Sequence, residues 1–453
     1  MTQNNDGKRP PRPAGPAGVR GEKPAYSRGG RGSGKKAYGG RDMGGKGSHS
    51  RISREDTARM LALKALQDVF REGAYASLAL NRRLRESNAG EEDKRLGTAI
   101  FYAAVENRFL ISYVLGQFAE RTPDPVVEDI LHIALAQILF MDRIPGHAAV
   151  DEAVKQAKRL GRTEQAGFVN GVMRNVLRAK EAGAIRLPDD SMPSVRRMSI
   201  VHSVPEPLVA RLIKAYGEAF AEEMLKWKPD ERTECIRVNT MRMTPSDFER
   251  YCTERFPDAE KGMLEGFMLV RGAGDLAADT GFRSGIFSLQ GIGSALAAGA
   301  VCAKPGMQIL DACAAPGGKA CYMAEQMKGS GRVIAWDVHE HRVELIRASA
   351  ARLGLENIRP AVRDASVFKQ DMEEAMDAVL VDAPCSGLGV MINKPDVKYR
   401  YRDTAIEELC GIQKRILDTC SRYVKPGGTL VYSTCTVLPD ENEKQAEAFL
   451  AAH

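Results

Sequence analysis

Between residues 53 and 183, apolar positions recur three and four residues apart, the period of helices with one buried face. In SREDTARMLALKALQDVF, Met60, Leu63, Leu66 and Phe70 share such a face, and Ser53 stands three residues before Asp56 as a candidate capping box. Further helices are expected at about 77–87, 91–118, 125–141, 148–160 and 164–181, with DRIPGHA breaking between two of them. No strand-like alternation interrupts this stretch, so 53–183 reads as an all-α bundle. Prolines in LPDDSMPSV and SVPEPLV then stop helix, marking 184–204 as a linker. Residues 205–304 read as a small α+β subdomain: a helix at 206–226, the strand CIRVNT, a helix near 244–254, then GFMLVRG.

The pattern changes at residue 305. MQILDACAAPGG, RVIAWDV, IRPAVRDA, AVLVDAP and TLVYSTC read as strands, and helices alternate with them, among them KACYMAEQMK, HRVELIRASAARLGL and 403–423. That alternation gives a parallel, doubly wound sheet over 305–453. Such sheets bind ligands at the carboxyl ends of their strands. The fold class is therefore multidomain, a helical bundle followed by a Rossmann-like α/β domain.

Charge modifies only the beginning of this picture. The chain has a formal net charge of +6, but residues 1–50 carry 11 Lys/Arg against 3 Asp/Glu, a net of 11 − 3 = +8, leaving 6 − 8 = −2 elsewhere. With 13 Gly, 5 Pro and almost no aliphatic residues, 1–52 is expected to be a disordered basic tail. Its SRGGRGSGKK stretch suits a polyphosphate partner such as RNA. No apolar run has the length of a membrane span or a signal peptide, so a cytoplasmic protein is expected. All 9 cysteines lie at or after Cys235 with no CxxC pair, which argues against a disulfide framework or a zinc site. His339 and His341 lack further ligands in sequence and read as solvated side chains.

The turn CAAPGGKA invites a nucleotide. A P-loop needs Gly six residues before its Lys and Ser or Thr after it, yet Cys313 and Ala320 hold those positions. A GxGxxG fingerprint is absent as well. What remains is a tight strand-to-helix turn in which Gly317 and Gly318 let backbone approach a ligand. Asp337, Asp364 and Asp382 are expected at successive strand ends, forming one acidic rim. Asp337 is placed to accept ribose hydroxyls. A nucleoside without polyphosphate fits, and S-adenosylmethionine is such a ligand. Lys319 either serves that ligand or forms a salt bridge near the turn.

LDACAAPGGK, LVDAPCSGLG and YSTCTVLPDENE resemble the three signature motifs of the RNA cytosine-C5 methyltransferases, and NKPDVKY resembles the basic segment after the second motif. AVDEAVKQAKRLG and GFVNGVMRNVL resemble the NusB-type RNA-binding bundle that precedes the catalytic domain in bacterial small-subunit ribosomal RNA members. The resemblance covers about residues 55–453. It implies S-adenosylmethionine held by Cys313, Ala314, Ala315, Pro316, Gly317, Gly318, Lys319, Asp337, Asp364 and Asp382. It implies attack on cytosine C6 by Cys435, product release assisted by Cys385, and Asp382 beside the base. Sequence geometry alone leaves open which cysteine attacks. The implied partner is RNA, 16S ribosomal RNA or an assembling small subunit, met by a monomer.

Two further expectations follow. Family members carry two more strands after the helix NEKQAEAFLAAH, so this chain's sheet is expected to end before its last strands, with the strand leading to Cys435 at an edge. Aromatic and basic residues interleaved in KYRYRD (398–403) suggest a loop facing RNA. The competing reading is a NusB-like RNA-binding scaffold with an inactive methyltransferase half; methylation of a protein or small molecule would leave the paired cysteines without a use.

Overall fold

The computed structural model describes residues 57–227 and 233–453. The expected tail and the Ser53/Asp56 capping box lie outside them. Thr57 caps the first helix, its hydroxyl accepting from the Met60 N–H at 3.4 Å. Helices Ala58–Phe70, Ala76–Glu86, Glu91–Glu106, Arg108–Leu115, Pro125–Phe140, Gly146–Arg159 and Ala166–Glu181 enclose one core. Pro125–Phe140 is buried on most of its circumference, including Ile130, Leu131, Ile133 and Leu135, as a helix at the centre of a bundle must be. The expected 91–118 helix is broken at Asn107, whose φ of −114° and ψ of 23° leave the helical region. Its side-chain amide donates to Ala103 O at 2.9 Å, and the next helix starts at Arg108.

The segment read as a linker is more than one. Residues 194–202 form a helix, Ser194–His202, whose Met198 is fully buried. With helices Glu206–Tyr216 and Glu218–Lys226, separated at Gly217 (φ +82°), it builds a core around Leu208, Leu212, Leu388, Ile406 and Leu438. The prolines expected to stop helix instead start it: Pro193 and Pro205 are the N-cap residues. These helices thus pack on the C-terminal domain, beside the motif containing Cys385.

Strands β1 (Thr233–Val238), β2 (Glu260–Lys261), β3 (Phe267–Arg271) and β4 (Phe287–Leu289) form an antiparallel sheet of order β2-β3-β1-β4. Arg237 of β1 is 2% exposed and pairs through both terminal nitrogens with buried Glu325 of the C-terminal domain. A buried pair of this kind fixes orientation more than it adds stability. Strands β5 (Gln308–Asp311), β6 (Arg332–Asp337), β7 (Ile358–Val362), β8 (Met376–Asp382) and β9 (Val424–Ser433) form a parallel sheet of order β7-β6-β5-β8-β9. Val379, Leu380 and Val381 of β8 are fully buried, as expected of a strand covered on both faces. Chain order reverses between β5 and β8, so the ligand crevice is expected there. β9 is an edge strand of the five.

KYRYRD corrects the reading from sequence. Lys398 is 7% exposed, and its Nζ donates to Glu106 O and His202 O, both at 3.0 Å. Tyr399 donates its hydroxyl to Val105 O at 2.7 Å, with its ring edge-on to Phe70 and Phe109. Arg400 reaches Gly73 O and Ala74 O, and buried Asp396 accepts from the Ala76 N–H at 3.1 Å. The segment is a strap fastening the catalytic domain to the helical bundle. Its cations meet backbone carbonyls, where charge is favoured near helix C-termini. Among the described residues, no helix is long and apolar enough to cross a membrane.

Candidate active site

The turn after β5 is built by local constraint. Gly317 has φ +107°, and a Cβ there would stand 3.2 Å from the Ile346 backbone. Only glycine meets both conditions. Gly318 opens helix Gly318–Gln326, with nothing within 4 Å of where its Cβ would be, so the backbone is open to a ligand. Ala314 donates its N–H to Trp336 O at 2.7 Å, and the Ala315 and Pro316 carbonyls accept from Arg342 and Ser349. Cys313 is half-buried, and burial pushes its thiol well above the ordinary range.

The acids do not form an even rim. Asp337 ends β6, nearly buried; its Oδ1 accepts from the His339 N–H at 3.0 Å, and Arg342 lies 3.3 Å from Oδ2. Asp382 ends β8, taking Lys319 Nζ at 2.6 Å on one oxygen and the Ser433 hydroxyl at 2.8 Å on the other. The salt-bridge alternative for Lys319 is thus realised, between the Gly turn and the cysteine motifs. Asp364 departs from expectation: it lies beyond the end of β7, exposed, and accepts from the N–H and hydroxyl of Ser366. Those bonds hold its carboxyl below the usual range.

Asp311, which sequence reasoning passed over, ends β5 between the strands of Asp337 and Asp382. It is fully buried, and neither carboxylate oxygen has a partner at full hydrogen-bond geometry, the Cys313 N–H acting on it only weakly. Burial, and then the nearby Asp382 charge, push its carboxyl up to about 7 against the pull of Lys319. Its position at the head of LDACAAPGGK was the available signal, the same strand-end logic that picked out Asp337.

The decisive geometry lies beyond β8 and β9. Cys385 and Cys435 come from motifs 50 residues apart, and their sulfurs are 3.4 Å apart. The Cys435 N–H also donates to Cys385 Sγ at 3.3 Å. The loops interlock: Gly389 donates its N–H to Cys435 O at 3.0 Å, and a Cβ on Gly389 would come within 2.9 Å of that oxygen. Cys435 is pulled down to about 7, first by the hydrogen bond from Cys385, then by Lys319 and Lys394, while burial and Asp382 oppose. Cys385 is pushed up, first by its contact with the Cys435 thiol and then by burial. Burial likewise raises the thiols of Cys321 and Cys420. Behind these loops, a cavity of about 510 Å³ lies between the bundle and the strap, touching Tyr102, Leu388, Gly389 and Val437; neither thiol lines it.

Comparison with known proteins agrees with this architecture. Residues 300–453 match the family model described as 16S rRNA methyltransferase RsmB/F, and residues 56–178 match the NusB family. The probable ribosomal RNA small subunit methyltransferase B of Bacillus subtilis is 35% identical over 403 residues, covering 88% of this chain and 89% of that protein. The chain belongs to the RsmB/F methyltransferase family. The ribosomal RNA small subunit methyltransferase B of Shewanella oneidensis is 31% identical over 403 residues, covering 87% of this chain and 89% of that protein. The crystal structure of PH0851 shares the fold, with a TM-score of 0.72 at 24% identity over 89% of this chain and 91% of its own. An RsmB/F enzyme is an RNA methyltransferase, and its cofactor is S-adenosylmethionine. The residues present fit that cofactor: open backbone at Gly318, a strand-end carboxylate at Asp337, and the buried Asp311 carboxylate near the turn.

Proposed function

We propose that this enzyme methylates C5 of a cytosine in 16S ribosomal RNA, free or in an assembling small subunit, through a covalent bond between Cys435 and C6 of the base. The observation that carries the reading is the 3.4 Å approach of the Cys385 and Cys435 thiols, brought together from the two motifs and flanked by the Lys319–Asp382 pair. Cytosine C5 is too weak a nucleophile to take a methyl group unaided. When the Cys435 thiolate bonds to C6, the C5–C6 π pair moves to C5, which makes the carbon nucleophilic. S-adenosylmethionine, held by the Cys313–Lys319 turn, Asp337 and Asp382, supplies the methyl group. Asp364 stays in the proposed cofactor set, since Ser366 engages only its Oδ1.

Release needs the reverse flow. The C5 proton passes to a base, the pair re-forms the C5–C6 double bond, and the Cys435 sulfur leaves with the electrons of its bond to carbon. Cys385 is placed to donate its S–H to that leaving thiolate, which lowers the cost of expelling it. Asp382, fixed by Lys319 and Ser433, faces Cys435 electrostatically and suits the cytosine amino group. The base must leave its stack to reach the thiols, at a cost of a few kcal/mol that is lower in a loop. The protein acts as a cytoplasmic monomer. Bisulfite sequencing of ribosomal RNA from cells with and without the gene tests the assignment. One small-subunit cytosine should lose protection in the deletion strain, and unchanged protection throughout that RNA rejects it.

A further inference from the structure

Glu441, within the motif YSTCTVLPDENE, has no part in the chemistry above, yet it is fully buried beside both catalytic loops. Its Oε1 accepts from the Ser386 N–H at 2.8 Å and from Gln413 Nε2 at 3.0 Å. Its Oε2 accepts from the Ser386 hydroxyl at 2.5 Å. Gln413 also donates to Pro384 O at 3.0 Å, so the residues on both sides of Cys385 hang from one anchor. The Ser386 and Thr436 hydroxyls lie 2.8 Å apart, and Thr436 immediately follows Cys435. Since the carboxylate only accepts, donation runs from Thr436 to Ser386 to Glu441. The Glu441 carbonyl takes the Tyr432 hydroxyl at 2.7 Å, fixing it to β9.

We infer that Glu441 is a positioning residue that sets the distance between the two catalytic thiols by tying the segment after Cys385 to the segment after Cys435. The inference rests on the cysteine roles proposed above. Without the carboxylate, the Ser386 N–H and Gln413 amide lose their common acceptor, and the Cys385 loop is free to draw away. The hydrogen bond that principally holds Cys435 down is then lost. The other groups acting on Cys435, namely Lys319, Lys394 and Asp382, stay in place. A Gln at 441 can keep the arrangement, because its amide oxygen serves the two N–H donors and its NH₂ group donates to Ser386, whose hydroxyl turns to Thr436.

The test titrates Cys435 in the full chain by its rate of alkylation with iodoacetamide against pH, followed on its own peptide by mass spectrometry. In E441A, alkylation at pH 7 should fall about tenfold as the thiol returns toward about 8.5. Its kcat should fall roughly 10²-fold, the effect of misplacing a reacting group by about an ångström, with KM for S-adenosylmethionine unchanged. E441Q should recover about tenfold of that loss and most of the alkylation rate. A folded E441A with the parental alkylation profile overturns the inference. If E441A does not fold, S386A decides, since it removes the hydroxyl link while leaving the N–H bond: a raised midpoint supports the role and a parental midpoint rejects it. Alkylation needs neither RNA nor turnover. A reversal of the cysteine roles therefore shows in adduct trapping and not in this titration.

Discussion

Replacing Lys398 by Met keeps the aliphatic stem packed in the strap and deletes the ammonium. Two carbonyls then lose a charged donor: Glu106 O ends one helix of the bundle and His202 O ends the helix Ser194–His202. Hydrogen bonds from charged donors contribute about 1.5–3 kcal/mol each. Part of the loss of two is offset because a charge no longer has to be buried. The expected net destabilisation of Lys398→Met is about 2–4 kcal/mol. Urea unfolding followed through Trp227 and Trp336, the chain's 2 tryptophans, should show an earlier transition. RNA affinity of the still-folded variant should keep its dependence on salt. The reverse pattern would refute the strap: unchanged unfolding, weaker RNA binding and a salt slope smaller by about one, as for a lysine on a phosphate.

Asp337→Asn retains an acceptor for the His339 N–H but loses its charge, and should weaken S-adenosylmethionine binding by roughly 1.5–3 kcal/mol in calorimetry. Unchanged affinity removes Asp337 from the cofactor site. Asp311 gives a pH signature. Its folded pKa of about 7 stands above the unfolded value of about 3.9, so its contribution to stability is complete below pH ~4 and is lost as the pH rises through 7. Asp311→Asn should therefore flatten the fall in Tm of the ligand-free enzyme between about pH 4 and 7. Parallel Tm profiles for the two proteins would mean that Asp311 is solvated or paired.

The helices and parallel strands were legible because each repeats a period that burial imposes, as Leu63 and Leu66 do in the bundle and Val379–Val381 do in β8. The Gly turn and the cysteine pair were legible through the motif resemblance. Contacts between distant segments were not. KYRYRD has the composition of an RNA-facing loop, and nothing local reveals that Lys398 and Tyr399 find partners some 290 residues earlier in the chain. Pro193 and Pro205 read as breakers because a proline that ends one helix and one that caps the next look alike in sequence. Asp364 lies two residues beyond the end of its strand, where its Oδ1 accepts from Ser366, a local bond that strand-end logic does not foresee. The burial of Asp311, whose strand-end position was itself readable, and that of Glu441 were hidden for a different reason. Burial without compensation, or burial with many donors, shows only when the surrounding side chains are in place.

The account stands most directly on which cysteine is caught on RNA. Cys385→Ser and Cys435→Ser variants, incubated with S-adenosylmethionine and small-subunit ribosomal RNA, can be resolved by denaturing electrophoresis. Cys385→Ser should still attack C6 and accept the methyl group, then stall, because the serine hydroxyl is a far weaker acid with which to assist the leaving thiolate. A protein–RNA adduct that survives denaturation should accumulate. Cys435→Ser should give none, since a hydroxyl is far less ionised than a thiol at neutral pH. An adduct from Cys435→Ser with none from Cys385→Ser would contradict the account and make Cys385 the nucleophile.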